Sequence, residues 1–108
     1  MNQHQTAWPL ALAAAFALCS GTAGAATPEE AMGKAGCMAC HSKDKKLVGP
    51  SFKDIAAKYK GKDATAQLIE KVRKGGFGAF GPIPMAPNPP AKISDADLKA
   101  AVEFILQL

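Results

Sequence analysis

Histidine and cysteine are scarce in this chain. Of 108 residues, two are histidine, His4 and His41, and three are cysteine, Cys19, Cys37 and Cys40. A structural zinc site, which wants four Cys or His ligands, therefore has little to draw on. Aromatic residues make up 6% of the sequence, and they do not interleave with the lysines. That argues against a nucleic-acid surface built from basic and stacking side chains. No apolar run reaches the roughly 20 residues of a comfortable membrane span, so stable membrane insertion is not expected. No segment alternates apolar and polar residues in the manner of a strand hairpin, and no β-α-β pattern or internal repeat is present.

Charge is also missing from one end. Residues 1–28 contain no Lys, Arg, Asp or Glu. Within them, "WPLALAAAFALC" (Trp8 to Cys19) has the length of a signal h-region, and small residues follow. Ala23-Gly24-Ala25 fits the A-x-A cleavage pattern, so we read residues 1–25 as a secretory signal peptide, cut after Ala25. The departure is an n-region with no Lys or Arg. A lipoprotein signal would place a small residue before Cys19, but Leu18 stands there, which argues against lipidation. Cleavage would remove Cys19 and His4 and leave one domain, residues 26–108. A chain that short buries a marginal core and needs a staple, metal or cofactor. All 13 basic and all 9 acidic residues belong to that domain, whose net charge of +4 is dispersed along it. Such a surface suits steering towards an acidic protein partner.

What is present reads as helices. Thr27, Pro28 and Glu30 form a capping box with proline at the first helical position, opening a helix towards Cys37. Ser51 and Asp54 open a second, with Phe52, Ile55, Ala56 and Tyr59 at helical spacing and Gly61 at its end. In the third, Asp63 or Thr65 caps, Leu68, Ile69 and Val72 form the apolar stripe, and Gly75 stops it. The fourth is capped by Ser94 with Asp97 at N3, and Leu98, Ala101, Val102 and Ile105 share a face. The expected fold class is all-α, about four helices, with irregular loops near residues 41–50 and 75–93.

The string with the most chemical content is "CMACH", Cys37 to His41. C-x-x-C-H reads as a c-type haem attachment site. Two cysteines three positions apart can reach two vinyl groups on one porphyrin edge, and the adjacent histidine then lies under the iron as proximal ligand. A haem also supplies the core that a short chain lacks. A redox dithiol would expect a β-α-β context. Zinc would need a fourth ligand. A plain disulfide between Cys37 and Cys40 is compatible with export.

His41 is the only histidine left after signal removal, which excludes a second histidine on the iron. A methionine is then the natural opposite ligand. Met38 lies between the cysteines and Met32 lies on the attachment side. Met85 is far enough along the chain to come round, and it sits in "GPIPMAPNPP", Gly81 to Pro90, where five of ten residues are proline. Proline restricts itself and its predecessor, so this is a stiff strap that is neither helix nor central strand. A stiff strap lowers the entropy of the unligated state. The competing reading is a core-filling methionine in a rigid loop. "GFGAFG", Gly76 to Gly81, matches G-x-G-x-x-G literally, but it follows a helix and runs into proline, so a dinucleotide site is rejected. Phe77 and Phe80 can pack on a flat cofactor or on the core.

Taken in order, "GCMACH", "LVGPSFKDIAAKY", "GPIPMAPN" and "ISDADLKAAVEFIL" resemble the class I cytochromes c, in the short bacterial cytochrome c-551 branch. The resemblance spans the expected domain. It implies one covalent haem c per chain, with Cys37 and Cys40 as thioether links and His41 and Met85 as axial ligands. It implies that the Pro50 carbonyl accepts a hydrogen bond from His41, that Asn88 lies near the Met85 sulfur, and that Lys71 lies near a haem propionate. Gly36 and Phe104 would meet where the first and last helices cross. It departs from the family at Phe80 and Phe104, where tryptophan is frequent, and in a slightly expanded "NPPAKIS". The function implied is that of a monomeric, periplasmic one-electron carrier and not an enzyme. A quinol-oxidising complex would be its donor, and a terminal oxidase, nitrite reductase or peroxidase its acceptor. Lys43, Lys45, Lys46 and Lys53 are candidates to border the exposed haem edge. The alternative is a haem enzyme or gas sensor with a labile sixth ligand.

Overall fold

The computed structural model describes Gly24 and residues 26–108. The leader reading, Cys19 and the cut at Ala25 fall outside the described residues. Four helices follow in order: α1 (Pro28–Lys34), α2 (Phe52–Tyr59), α3 (Thr65–Lys74) and α4 (Asp95–Leu106). Between α3 and α4 lie two short strands, β1 (Gly76–Gly78) and β2 (Gly81–Met85).

Three helix starts form by the local chemistry expected of them. At α1 the Glu30 N–H donates to Thr27 Oγ1 while the Thr27 N–H donates to the Glu30 carboxylate, the reciprocal capping box. At α2 the Asp54 N–H donates to Ser51 Oγ at 3.0 Å, and at α4 the Asp97 N–H donates to Ser94 Oγ at 3.1 Å. The third start differs. The residue before α3 is Ala64, and neither Asp63 nor Thr65 supplies a side-chain cap. Ala64 is buried, so the entry of α3 is set by packing and not by a capping oxygen.

The end of α1 also differs from expectation. The helix stops at Lys34, Gly36 turns left-handed at φ 83°, and Cys37–Ala39 form a separate 3-10 turn. Glycine adopts that φ without the Cβ clash that other residues meet. Gly36 thus has a conformational role; a Cβ there would have nothing within 4 Å.

The core is arranged around α4, which packs on α1, α2 and α3. One cluster joins Ala31, Ala35, Ile93, Leu98 and Val102; the other joins Met32, Phe52 and Ala101, and Phe104 lies against it. The small side chains Ala31, Ala35 and Ala101 allow α1 and α4 to approach closely. Met32, only 2% exposed, fills the second cluster, a burial worth about 1.5–3 kcal/mol.

The segment expected to be an irregular loop contains a hairpin. Gly76 pairs with Met85 and Gly78 with Gly81, antiparallel, with an irregularity in register between the two pairs. Side-chain alternation could not reveal it, because the ribbon is built from backbone that glycine permits and not from a buried face. Both strands of a two-stranded ribbon are edges, so Pro82 and Pro84 can sit in β2 without leaving a ladder bond unmade. "GFGAFG" thus makes β1 and its turn, and no helix opens after it.

Candidate functional site

The 3-10 turn presents two thiols in different settings. Cys37 is half-buried and packs against both core clusters, and Cys40 is exposed. Burial pushes the Cys37 thiol above its ordinary value, partly offset by a backbone hydrogen bond and by Lys92. Both thiols are free, so the disulfide reading is not realised in this structure. Among the described residues no three His, Cys, Asp or Glu side chains gather as a metal cluster.

The turn carries directly into His41, whose backbone N–H donates to the Cys37 carbonyl at 3.0 Å. His41 Nδ1 lies 2.7 Å from the Pro50 carbonyl oxygen. A carbonyl can only accept, so Nδ1 carries the proton and donates. The lone pair is thereby left on Nε2, the nitrogen at the far side of the ring. Phe52 stacks on the same ring, with centroids 5.4 Å apart and planes 21° apart. Phe52 is itself buried in the core. The ring orientation is therefore tied to the helical scaffold by a hydrogen bond and an aromatic contact.

Residues 41–50 are more ordered than a free loop. His41 bridges to Lys46, the Gly49 N–H donates to the Cys40 carbonyl at 2.8 Å, and the Phe52 N–H donates to the Ser42 carbonyl at 2.9 Å. Gly49 is a site residue that reading the sequence missed. A Cβ there would lie 2.6 Å from His41 Cε1 and 3.0 Å from Nδ1. The ring cannot swing aside freely, because Pro50 and Phe52 hold it. The only signal in the sequence was the Gly-Pro pair, which marks a turn but not a contact with a ring. Gly49→Ala is expected to displace the imidazole, weaken its bond to Pro50 and cost about 1–3 kcal/mol. The denaturant midpoint and the His41 ring nitrogen shifts read this; if neither moves, the ring has slack.

Met85 ends β2 and is partly buried. Its strand pairs with Gly76, and the backbone of Gly75 lies so close that a Cβ there would stand 2.9 Å from the Ala86 carbonyl carbon, and nearer still to the Met85 oxygen. Gly75 thus does more than end α3: it lets the Met85 backbone press against the helix terminus. Beyond Met85, the Asn88 N–H donates to the Val72 carbonyl at 3.0 Å, and its side-chain Nδ2 donates to the Ala86 carbonyl at 3.0 Å. Asn88 is buried and, in this structure, anchors the strap to α3. Lys71 Nζ lies beside Gly76, at the root of the hairpin. At the hairpin turn, Lys58 of α2 donates to the Ala79 carbonyl and lies over the Phe80 ring, 4.6 Å from its centroid. Arg73, a second residue missed from sequence, clasps the far arm of the strap.

The other two methionines of the domain separate cleanly. Met32 is core and Met38 is exposed on the cysteine turn. The strongly exposed apolar side chains include Leu47 and Val48 on the loop that follows His41, and Phe77, Phe80 and Ile83 in the hairpin that carries Met85; Phe77 is 69% exposed. Apolar surface concentrated in these two segments is what a large flat apolar group would cover. The donors fit the same group: two thiols on one turn, an imidazole with a fixed free Nε2, and a thioether on a stiff strap. The residues present are suited to a haem, which places the molecule among the small helical haem proteins.

Comparison with known proteins resolves the class further. Residues 25–108 match the cytochrome c family model. The chain is 54% identical over 83 residues to cytochrome c2 of Rubrivivax gelatinosus, a match covering 76% of this chain and 98% of that protein. It is 45% identical over 105 residues to cytochrome c-552 of Nitrosomonas europaea, covering 96% and 98% of the two chains. The crystal structure of wild-type Nitrosomonas europaea cytochrome c552 superimposes with a TM-score of 0.68 at 46% identity, over 74% of this chain and 98% of that one. The chain belongs to the cytochrome c family, with the small class I fold, and its cofactor is covalently attached haem c.

Proposed function

We propose that the protein is an exported, periplasmic, monohaem electron carrier. In this reading Cys37 and Cys40 would hold the haem through thioether links, and His41 and Met85 would supply the two protein ligands to its iron. The observation that carries it is the 2.7 Å bond from His41 Nδ1 to the Pro50 carbonyl. That bond selects the tautomer with Nε2 free, holds the ring plane, and raises the basicity of the ligand.

Bound haem would supply a one-electron couple. The chain's own contribution is to fix two ligands and limit rearrangement between oxidation states. His41 is fixed by Pro50 and Phe52; Met85 is fixed by β1, Gly75 and Asn88. With His41 and Met85 both committed to the haem, substrate would find no open site on it, which supports a carrier over an enzyme. A neutral thioether paired with histidine raises the reduction potential relative to harder donors. Asn88 near the Met85 sulfur and Lys71 near a propionate belong to the same proposal, both being in segments adjoining the hairpin.

The basic surface supports encounter with acidic redox proteins. Lys43, Lys45 and Lys46 follow His41 on the loop and are exposed. Lys53 instead pairs with Asp44 at 2.5 Å, and its hydrogen bond holds the Asp44 carboxyl below the usual carboxylate range. The docking charge is therefore assigned chiefly to the loop lysines, with Lys53 partly neutralised. Such contacts are small and short-lived, and charge governs the encounter rate more than affinity. A quinol-oxidising complex as donor and a terminal oxidase, nitrite reductase or peroxidase as acceptor are the partners we propose. Among the described residues no helix is long and apolar enough to cross a membrane.

The test is optical. Protein from a host competent in haem attachment is expected to be red and low-spin, with the weak far-red absorption of a ferric iron–thioether bond. A colourless protein would refute the carrier role. A high-spin protein that binds carbon monoxide would replace it with an enzyme or sensor.

A further inference from the structure

Arg73 stands near the C-terminal end of α3, yet its side chain is only 18% exposed. Its Nη1 donates to the carbonyl of Asn88 at 3.0 Å and to the carbonyl of Ile93 at 2.9 Å. Its Nη2 lies 2.5 Å from Oδ1 of Asp95, the first residue of α4. One guanidinium therefore joins α3, both ends of the segment 88–93, and the start of α4.

The segment needs such a partner. Pro87, Pro89 and Pro90 have no N–H, so residues 86–93 cannot build a ladder of their own. Their internal bonds are few: the Lys92 and Ile93 N–H groups both turn to the Pro89 carbonyl. Carbonyls withdrawn from water require a donor, and Arg73 serves two of them with one planar fork. Asn88 is three residues beyond Met85, and its own N–H is bound to Val72, the neighbour of Arg73. The entry to Met85 is already held by pairing with Gly76. The exit is held by Arg73 and Val72. The backbone at Met85 cannot swing outward unless one of these arms is released.

We infer that Arg73 is a positioning residue for the Met85 ligand: by clasping the exit arm of the strap it sets the rate at which the thioether leaves the iron. This rests on the assignment of Met85 as the axial ligand. Arg73 would act through the strap backbone and not on the iron directly. Lys74, next to it, is exposed and paired with Glu70 on its own helix, with no hydrogen bond to the strap, and so serves as a control for charge alone.

The experiment uses the ferric holoprotein and measures the rate at which added imidazole replaces the protein thioether, extrapolated to saturating imidazole, where release is limiting. Arg73→Met is expected to raise that rate about ten- to hundredfold, the scale of losing charge-assisted hydrogen bonds. Arg73→Lys, which keeps charge but not the fork, falls between, and Asp95→Asn gives a smaller rise. Lys74→Met leaves the rate within about twofold. Amide exchange gives the second reading: the Asn88 N–H loses protection in Arg73→Met, while Leu98 and Val102 of α4 keep theirs. Equal release rates in wild type and Arg73→Met would overturn the inference, as would loss of protection at Asn88 and α4 together. If Arg73→Met does not fold, Arg73→Lys and Asp95→Asn decide the matter by the same readings. If the wild type shows no iron–thioether absorption, the ligand assignment has failed instead, and the exchange at Asn88 still reports whether the clasp exists.

Discussion

Replacing Cys37 and Cys40 together by alanine is expected to abolish covalent haem and, with it, most of the folded population. The first effect follows from chemistry: without thiols no thioether forms, and no haem should remain on the chain after denaturing electrophoresis. Any haem surviving denaturation would place the attachment elsewhere. The second effect follows from the size of the core. Its two clusters are small: three alanines, Ala31, Ala35 and Ala101, beside Met32, Phe52, Ile93, Leu98 and Val102 as the larger contributors. Leu47, Val48, Phe77, Phe80 and Ile83 contribute little to it, being exposed. A domain of this length has marginal stability from its own burial. Far-UV circular dichroism of the double variant should therefore show a marked loss of helix at ordinary temperature. A cooperative, fully helical apoprotein would mean that the helices are self-sufficient and that haem is a passenger in the fold.

Met85→Ala is expected to act differently. Covalent haem should persist, because the cysteine turn is untouched. The reduction potential should fall by on the order of 0.1–0.3 V, within the roughly 0.8 V over which axial ligands set it. The vacated position should accept external ligands such as imidazole or carbon monoxide. The backbone pairing of residue 85 with Gly76 does not use the side chain, so the hairpin should remain. Redox titration and ligand binding check these outcomes. A variant with an unaltered spectrum and potential would assign Met85 to packing, the reading its prolyl setting left open.

The contrast between these two substitutions reflects how the two proposed ligands are held. His41 sits on a turn whose cysteines would be bonded to the same group, and its ring is fixed by Pro50 and Phe52. Met85 has no covalent neighbour of that kind. Its placement depends on strap backbone, and on Gly75, Asn88 and Arg73 around it. Loss of function through the Met85 side should therefore be graded, and through the cysteine turn all-or-none.

Much of this was legible in the residues themselves. C-x-x-C-H, the capping pairs at Thr27, Ser51 and Ser94, and the apolar stripe of α4 are local signals, each decided within four or five residues by hydrogen-bond or helical geometry. Met85 as the candidate ligand rests instead on composition, since scarcity left few alternatives. By contrast, the hairpin of Gly76–Met85, the steric demand at Gly49, the close approach at Gly75 and the three-way grip of Arg73 join atoms far apart in sequence or depend on backbone contact. No periodicity encodes such contacts, because they exist only once α3, the strap and α4 have been packed against one another. The chain's sequence thus determined the chemistry it can hold, and its tertiary structure decided how firmly each proposed ligand residue is held, since rigidity comes from long-range contacts that no local pattern records.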